Sequence, residues 1–535
     1  LEGNTFLAGV VPIWFEGVSD SIIIDNTFAR SGPTLWWGDG ITIRDNDITN
    51  ATASGIWAYF TKNVDISGNR IIGGAHPDGT GDSGVHAQSN ESLLIAANMI
   101  AGFLAGERSS YTRGVAGAGI NELGGTGTEI VQNVIADNTI GIRVYDMGGS
   151  ASTLAIHFNS IVENKDYGVF VFGAYPTAAG WKTWHYDQYG PAAHDVDAAL
   201  NWWGDPEGPM HASNPAGAGD QVSDHVIYSP WLGTDPDGDP TEPGVQITEP
   251  MLIIVAPVGP EPTNGYLNQA IAGANELPHP DTVMVREGTY NASTPVTDAT
   301  GIFSCASCPH APQVTGDMSL GAAGILIGRM GQGFTILGDI TVGAGADAAT
   351  IHINWNDLFG TVTNNGLGTL DATYNWWGGR HPSAATGGQV DYSPYLPLPV
   401  CDMLSYMNEY GVDADTAIFL INRGGLMTED LLLLDLMNQF GLSAGEVEAL
   451  LNEYGFMRIA HALDFSTGYD DFVRLLLGYE ATPTGGAGAF VDLGVAGGAG
   501  AFQGRTVDAV YEVGQPIFVS VDLRDFQGNP VPGIG

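Results

Sequence analysis

The chain has 535 residues, 76 of them glycine, with 14% charged and 44% hydrophobic residues. Its 60 acidic side chains face 17 basic ones, a net charge of −43, which argues against nucleic acid or an anionic membrane surface as a partner and for divalent cations or a saline medium. No run is long and apolar enough for a transmembrane helix, and the length calls for several domains.

A repeat opens the chain. The pattern Asn-x-[Ile/Phe] recurs at Asn4, Asn26, Asn46, Asn69, Asn98, Asn133 and Asn159, at spacings of 22, 20, 23, 29, 35 and 26. Short alternating runs precede it, as in Ile22-Ile-Ile24, Ile41-Thr-Ile43 and Val64-Asp-Ile66. A second apolar beat follows glycine at Gly55-Ile-Trp57, Gly84-Val-His86, Gly141-Ile-Arg-Val144 and Gly168-Val-Phe-Val171. Period two means strands, not helices. The pattern predicts a coil with one rung per repeat. Asn and Gly should take the corners because they tolerate left-handed backbone, and the Asn side chains should stack as a hydrogen-bonded ladder. Seven rungs at about 4.8 Å each make a rod of about 34 Å. Longer spacings, as around 102–119, predict loops pushed out of the coil.

The repeat region ends in Asn201-Trp-Trp-Gly-Asp-Pro-Glu-Gly-Pro209, leading to Tyr228-Ser-Pro-Trp-Leu232. A matching block, Asn375-Trp-Trp-Gly-Gly379 leading to Tyr392-Ser-Pro-Tyr-Leu396, stands further on. With these motifs the sequence resembles the right-handed parallel β-helix repeat surface proteins of the pectin-lyase-like superfamily, over about 1–232 and again 250–398. The resemblance implies two β-helix segments and an extracellular, cell-surface setting. It also implies a link to polysaccharides, which many such proteins bind or cleave.

Between the two segments, residues 233–249 form an acidic, Pro-rich stretch that reads as a semi-rigid spacer. Asp235, Asp237 and Asp239 alternate there as in calcium loops, with oxygen ligands at every second residue. They are the candidate Ca2+ site, and a plain acidic linker is the competing reading. The second segment starts with a strand at Met251–Val255 and a short amphipathic helix at Tyr266–Ala274. A first rung follows at Asp281–Tyr290. The helix resembles the superfamily's N-terminal cap, and a coil end left open exposes unpaired backbone.

Beyond the coils the character changes. Residues 400–480 read as a helical domain, with helices at Asp413–Asn422, Thr428–Phe440, Ser443–Tyr454 and Tyr469–Leu477 and a capping box at Ser443-Ala-Gly-Glu446. A Gly-rich segment occupies 481–505. Alternation over Val507–Val521 marks 506–535 as the opening of an immunoglobulin-like β-sandwich. The fold class is therefore mainly β, with two β-helices, a small helical bundle and a partial sandwich. Because the repeat is already under way at Leu1, the chain reads as an internal piece of a longer polypeptide.

Lyase chemistry needs clustered carboxylates and a base, and hydrolysis needs two opposed carboxylates. The nearest approach is Asp137, Arg143 and Asp146; isolated charges on a solenoid face are the plainer reading. Asp25, Asp45 and Asp65 read as solvent-facing turn residues. Trp181-Lys-Thr-Trp-His-Tyr186 reads either as a sugar-stacking platform or as a loop packed over the coil. Cys305 and Cys308 form a lone C-x-x-C, expected as a local disulfide or two inert thiols, and Cys401 stands alone. Asn50, Asn90 and Asn291 open glycosylation sequons. The reading that follows is a non-enzymatic structural component of an extracellular cell-surface assembly (surface layer, sheath or filament). Such a protein would self-associate, hold Ca2+ and meet surface glycans. The alternative is a polysaccharide-binding or polysaccharide-cleaving β-helix protein, or an adhesin.

Overall fold

The computed structural model describes residues 1–7, 13–52, 54–74, 83–104, 117–146, 150–174, 189–190, 192–258, 265–278, 280–305, 311–422, 436, 440–454, 459, 462, 472–473, 490–496 and 518–524. The chain forms two compact units, Leu1–Cys401 and Asp402–Gly535.

The first coil of the first unit stacks parallel strands in three sheets. A side sheet stacks the short strands that follow each repeat asparagine, from Thr5–Phe6 to Ser160–Val162. A front sheet runs from Ile13–Glu16 through Pro33–Trp36, Ile56–Tyr59, Ser83–Gln88, Ala118–Leu123 and Ile140–Asp146 to Tyr167–Ala174. A base sheet runs from Ser19–Ile24 to Val226–Ile227. Within each strand every second side chain points inward. Ile43, Ile66, Ile95, Ile130 and Ile156 fill one column and Ile56, Val85, Ile120 and Ile142 another, all fully buried.

The asparagines form a continuous ladder at the corner between base and side sheets. Each side-chain amide donates to the Oδ1 of the next, from Asn4 through Asn26, Asn46, Asn69, Asn98, Asn133 and Asn159 to Asn201, at 2.9–3.2 Å. The expected ladder is there, but the backbone reason differs. The left-handed residue is the one before each asparagine: Asp25, Asp45, Gly68, Ala97, Gln132, Phe158 and Leu200 all have φ between 51° and 63°. The turn thus falls one residue earlier, which swings the Asn side chain inward to satisfy buried carbonyls such as Ile43 O and Ile66 O. Asp25 and Asp45 are therefore exposed corner residues as expected, whereas Asp65 lies within the strand Lys62–Ser67.

A glycine column starts the front strands because rungs approach closely there. A Cβ on Gly84 would lie 2.3 Å from Ile100 Cγ2 and 2.6 Å from Gly119 O.

The second coil continues within the same unit. Leu232 and Trp231 pair antiparallel with Ile253 and Ile254, and parallel rungs run on from Leu252–Val255 through Asp281–Val285 to Val390–Asp391. Helix α1 (Tyr266–Glu276) buries Tyr266, Leu267, Ala270, Ile271 and Ala274 over this core. Its Gly273 also abuts Leu200 of the first coil. The paired tryptophans are rung residues: Trp203 fills the first core, while Trp202 and Trp377 belong to the second. A single ladder step, Asn356 to Asn375, repeats the corner device, with left-handed Trp355 and Tyr374 before the two asparagines. The Pro-rich stretch lies against the first coil, with Val245 N donating to Gln132 O at 3.0 Å and Ser160 Oγ to Asp235 Oδ1 at 3.3 Å.

Helix α2 (Val400–Tyr410), which the periodicity reading did not isolate, follows directly, Val400 N donating to Asp357 Oδ1. In the second unit, α3 (Ala414–Asn422) and α4 (Ala444–Tyr454) fall where expected. The capping box forms: Ser443 N and Oγ both donate to Glu446 Oε2, at 2.8 and 2.7 Å. Leu420, Leu436, Val447, Ile459, Ala462 and Phe472 make this unit's core. Most of the helices expected at 428–440 and 469–477 lies outside the described residues. A strand at Phe490–Ala496, inside the segment read as Gly-rich, pairs antiparallel with Phe518–Arg524.

Candidate functional site

Alternation places one set of front-sheet side chains outward, and the parallel register aligns them across rungs. One column runs Trp14, Thr34, Trp57, His86, Asn121, Arg143, Phe170. Its neighbour runs Glu16, Trp36, Tyr59, Gln88, Leu123, Tyr145, Phe172. At the amino-terminal end these columns make an aromatic strip. Ring centroids lie 5.8 Å apart for Trp14–Trp36, 4.9 Å for Trp36–Tyr59, 5.3 Å for Tyr59–Trp57 and 4.8 Å for Trp57–His86. Trp14, Trp37 and Phe60 remain 55%, 57% and 42% exposed.

Further along, the same face is buried and polar. His86 Nδ1 lies 3.2 Å from Asn121 Nδ2. Burial, and secondarily the Arg143 charge, push the imidazole down to about 4. Arg143 is buried with its guanidinium 4.6 Å over the Phe172 ring. The trio singled out by charge does not converge. Asp137 is exposed at a left-handed corner, and buried Asp146 accepts from Ala193 N and His194 N at 2.9 and 3.1 Å. Burial raises the Asp146 carboxyl, but those bonds, with Ala151 N and the His194 ring, outweigh it and hold it low. Asp146 ties a strand end to a neighbouring segment.

Glu122 stands between Ala87 and Val144 on the inward side of the front sheet. Its Oε1 accepts from Gly125 N at 2.6 Å, and its Oε2 has no hydrogen-bond partner among the described residues. Burial pushes it up to about 7 against that one bond.

Asp235, Asp237 and Asp239 fold into successive tight turns: Asp235 Oδ1 accepts from Asp237 N, Asp237 Oδ1 from Asp239 N, and Asp239 Oδ1 from Thr241 N and Oγ1. Burial raises Asp237, and the flanking Asp235 and Asp239 charges add to that despite the Asp239 N–H. Among the described residues, no three His, Cys, Asp or Glu side chains group to hold a metal ion.

The cysteines differ from expectation. Cys305 is a free thiol, so the local pair does not form, and Cys401, read as standing alone, is disulfide-bonded. Sequence spacing carries no information on what the first turn of α2 is brought against. Cys308 and the Trp181–Tyr186 segment lie outside the described residues. Of the sequons, Asn90 is buried, its Oδ1 accepting from Thr61 N and Oγ1, which leaves no room for a glycan.

The aromatic strip escaped sequence reading. Its signal was present as aromatics two residues apart at Trp57 and Tyr59, but their alignment with Trp14 and Trp36 depends on register across loops of unequal length.

No curated protein and no solved structure matches this chain. Residues 12–178, which hold the ladder from Asn26 to Asn159 and the front-sheet columns, match the family model for the right handed beta helix region, and the chain is accordingly a mainly β protein built on a parallel β-helix.

Proposed function

We propose that this chain is a non-enzymatic structural component of an extracellular cell-surface assembly that associates with copies of itself. The observation that carries the reading is the uninterrupted Asn ladder from Asn4 to Asn201, which locks eight rungs into a stiff rod. Rods with repeating faces meet along extended surfaces with little conformational entropy lost. At −43, neighbouring copies repel one another, and Ca2+ at acidic sites such as Asp235–Asp239 would offset that repulsion. Sedimentation velocity across a concentration series, with Ca2+ and with chelator, tests it. Growth of large species with Ca2+ is expected; a monomer throughout counts against it. Incubation with acidic and neutral glycans should release no unsaturated or reducing ends, and cleavage abolished by Arg143→Ala would make the chain an enzyme.

The aromatic strip favours a second reading, a glycan-binding stalk. Exposed indole faces such as Trp14 and Trp37 stack on pyranose rings. Glycan binding lost in Trp14→Ala, with no self-association in the parent protein, would favour that reading.

A further inference from the structure

Against the last long front strand, a cavity of about 390 Å3 opens between Tyr167, Phe170, His211, Ser223, Asp224 and His225. That volume lies in the range of small-molecule sites. The Tyr167 and Phe170 rings stand 4.9 Å apart and tilted by 43°, giving two non-parallel aromatic faces. The polar rim is pre-organised: His211 Nε2 lies 3.2 Å from Asp224 Oδ1, and His211 Nδ1 lies 2.7 Å from Ser213 Oγ. His225 Nδ1 lies 2.8 Å from Asp195 Oδ1. Ser213 N also donates to His211 Nδ1, which makes that nitrogen an acceptor and leaves Nε2–H to donate to Asp224. None of the described lining residues is Lys or Arg.

We propose that this cavity binds a small organic ammonium cation, seated against the Tyr167 and Phe170 rings with Asp224 as counter-charge. Ring faces carry negative potential and attract cations, most strongly poorly hydrated quaternary ammonium groups. The same aromatic cluster already holds a cation in the adjacent rung, where the Arg143 guanidinium lies over Phe172. The field of a chain at −43 raises the local concentration of any cation. A carboxylate ligand would instead meet the like charge of Asp224.

Isothermal titration of the full chain at low salt with tetramethylammonium and choline, beside methyl glucoside and acetate, tests this. Both ammonium probes should bind, and the sugar and acetate should not. Asp224→Asn, at a side chain 90% exposed, should fold normally and weaken binding roughly fivefold. Tyr167→Leu should weaken it about tenfold, while Tyr167→Phe retains it. No ammonium binding up to about 20 mM, binding unchanged in both Asp224→Asn and Tyr167→Leu, or tighter binding of the sugar would each overturn the proposal.

Discussion

Asn46 and Asn69, one rung apart, share a single oxygen: Asn69 Oδ1 accepts from the Asn46 backbone N–H at 3.0 Å and from its side-chain amide at 2.9 Å. The Asn69 amide in turn donates to Ile43 O and Asn98 Oδ1. One side chain therefore satisfies buried groups on three rungs. Asn69→Leu, alike in branching, leaves several of them unpaired, and each such group costs roughly 1–3 kcal/mol. The urea midpoint of the β-helix transition, followed by circular dichroism, should fall by the equivalent of at least about 3 kcal/mol. A shift within error would show that the ladder is ornamental.

The left-handed positions make a second, opposite prediction. Ala97 holds φ at 51° beside Asn98, in a place where Gly68 stands one rung earlier. Left-handed backbone costs a non-glycine residue on the order of 1 kcal/mol. Ala97→Gly should therefore leave stability unchanged or raise it by up to about 1 kcal/mol, despite glycine's greater freedom in the unfolded chain. A clear loss would mean that the methyl group packs more usefully than the turn is strained.

Glu122 sets a pH dependence. Its folded value of about 7 lies above its ordinary 4.5, so the folded state binds the proton more tightly than the unfolded one. Its contribution is fully present below about 4.5, is lost as pH rises to about 7, and levels off beyond that. Glu122→Gln keeps a neutral group there. The variant should match the parent near pH 4 and exceed it at pH 8, by on the order of 3 kcal/mol at most. Denaturant midpoints for both proteins across that span check it; parallel curves would show that Glu122 ionises without penalty in the fold.

Calcium binding to the native state alone would raise the melting temperature by mass action. At low ionic strength, Ca2+ should raise the transition of the first unit relative to chelator, and Asp237→Asn should blunt the gain. Identical melts with and without Ca2+ would leave a saline medium to account for the acidity.

How much of this was readable beforehand follows from which interactions are local in sequence. Asn26, Asn46 and Asn69 announce themselves because each rung repeats the same residue for the same corner. The turn one position earlier hides, since Asp, Gly, Ala, Gln, Phe and Leu all occupy it, and the ladder pins the backbone there whatever the side chain. The outward column Trp57, His86, Asn121, Arg143 shares no residue type, so only the register of the folded coil aligns it. Arg143 illustrates the difference: flanking acids suggested a charged site, yet its guanidinium lies over the Phe172 ring on the next rung. Helix α2 begins at Val400, where the helical domain was expected to open, although the periodicity did not isolate it as a helix of its own.

The central claim is that these rods assemble. Electron microscopy of the purified chain at high concentration, with Ca2+ present, addresses it directly. An ordered sheet, tube or filament with a constant subunit repeat is the predicted result; dispersed single rods under those conditions would contradict it.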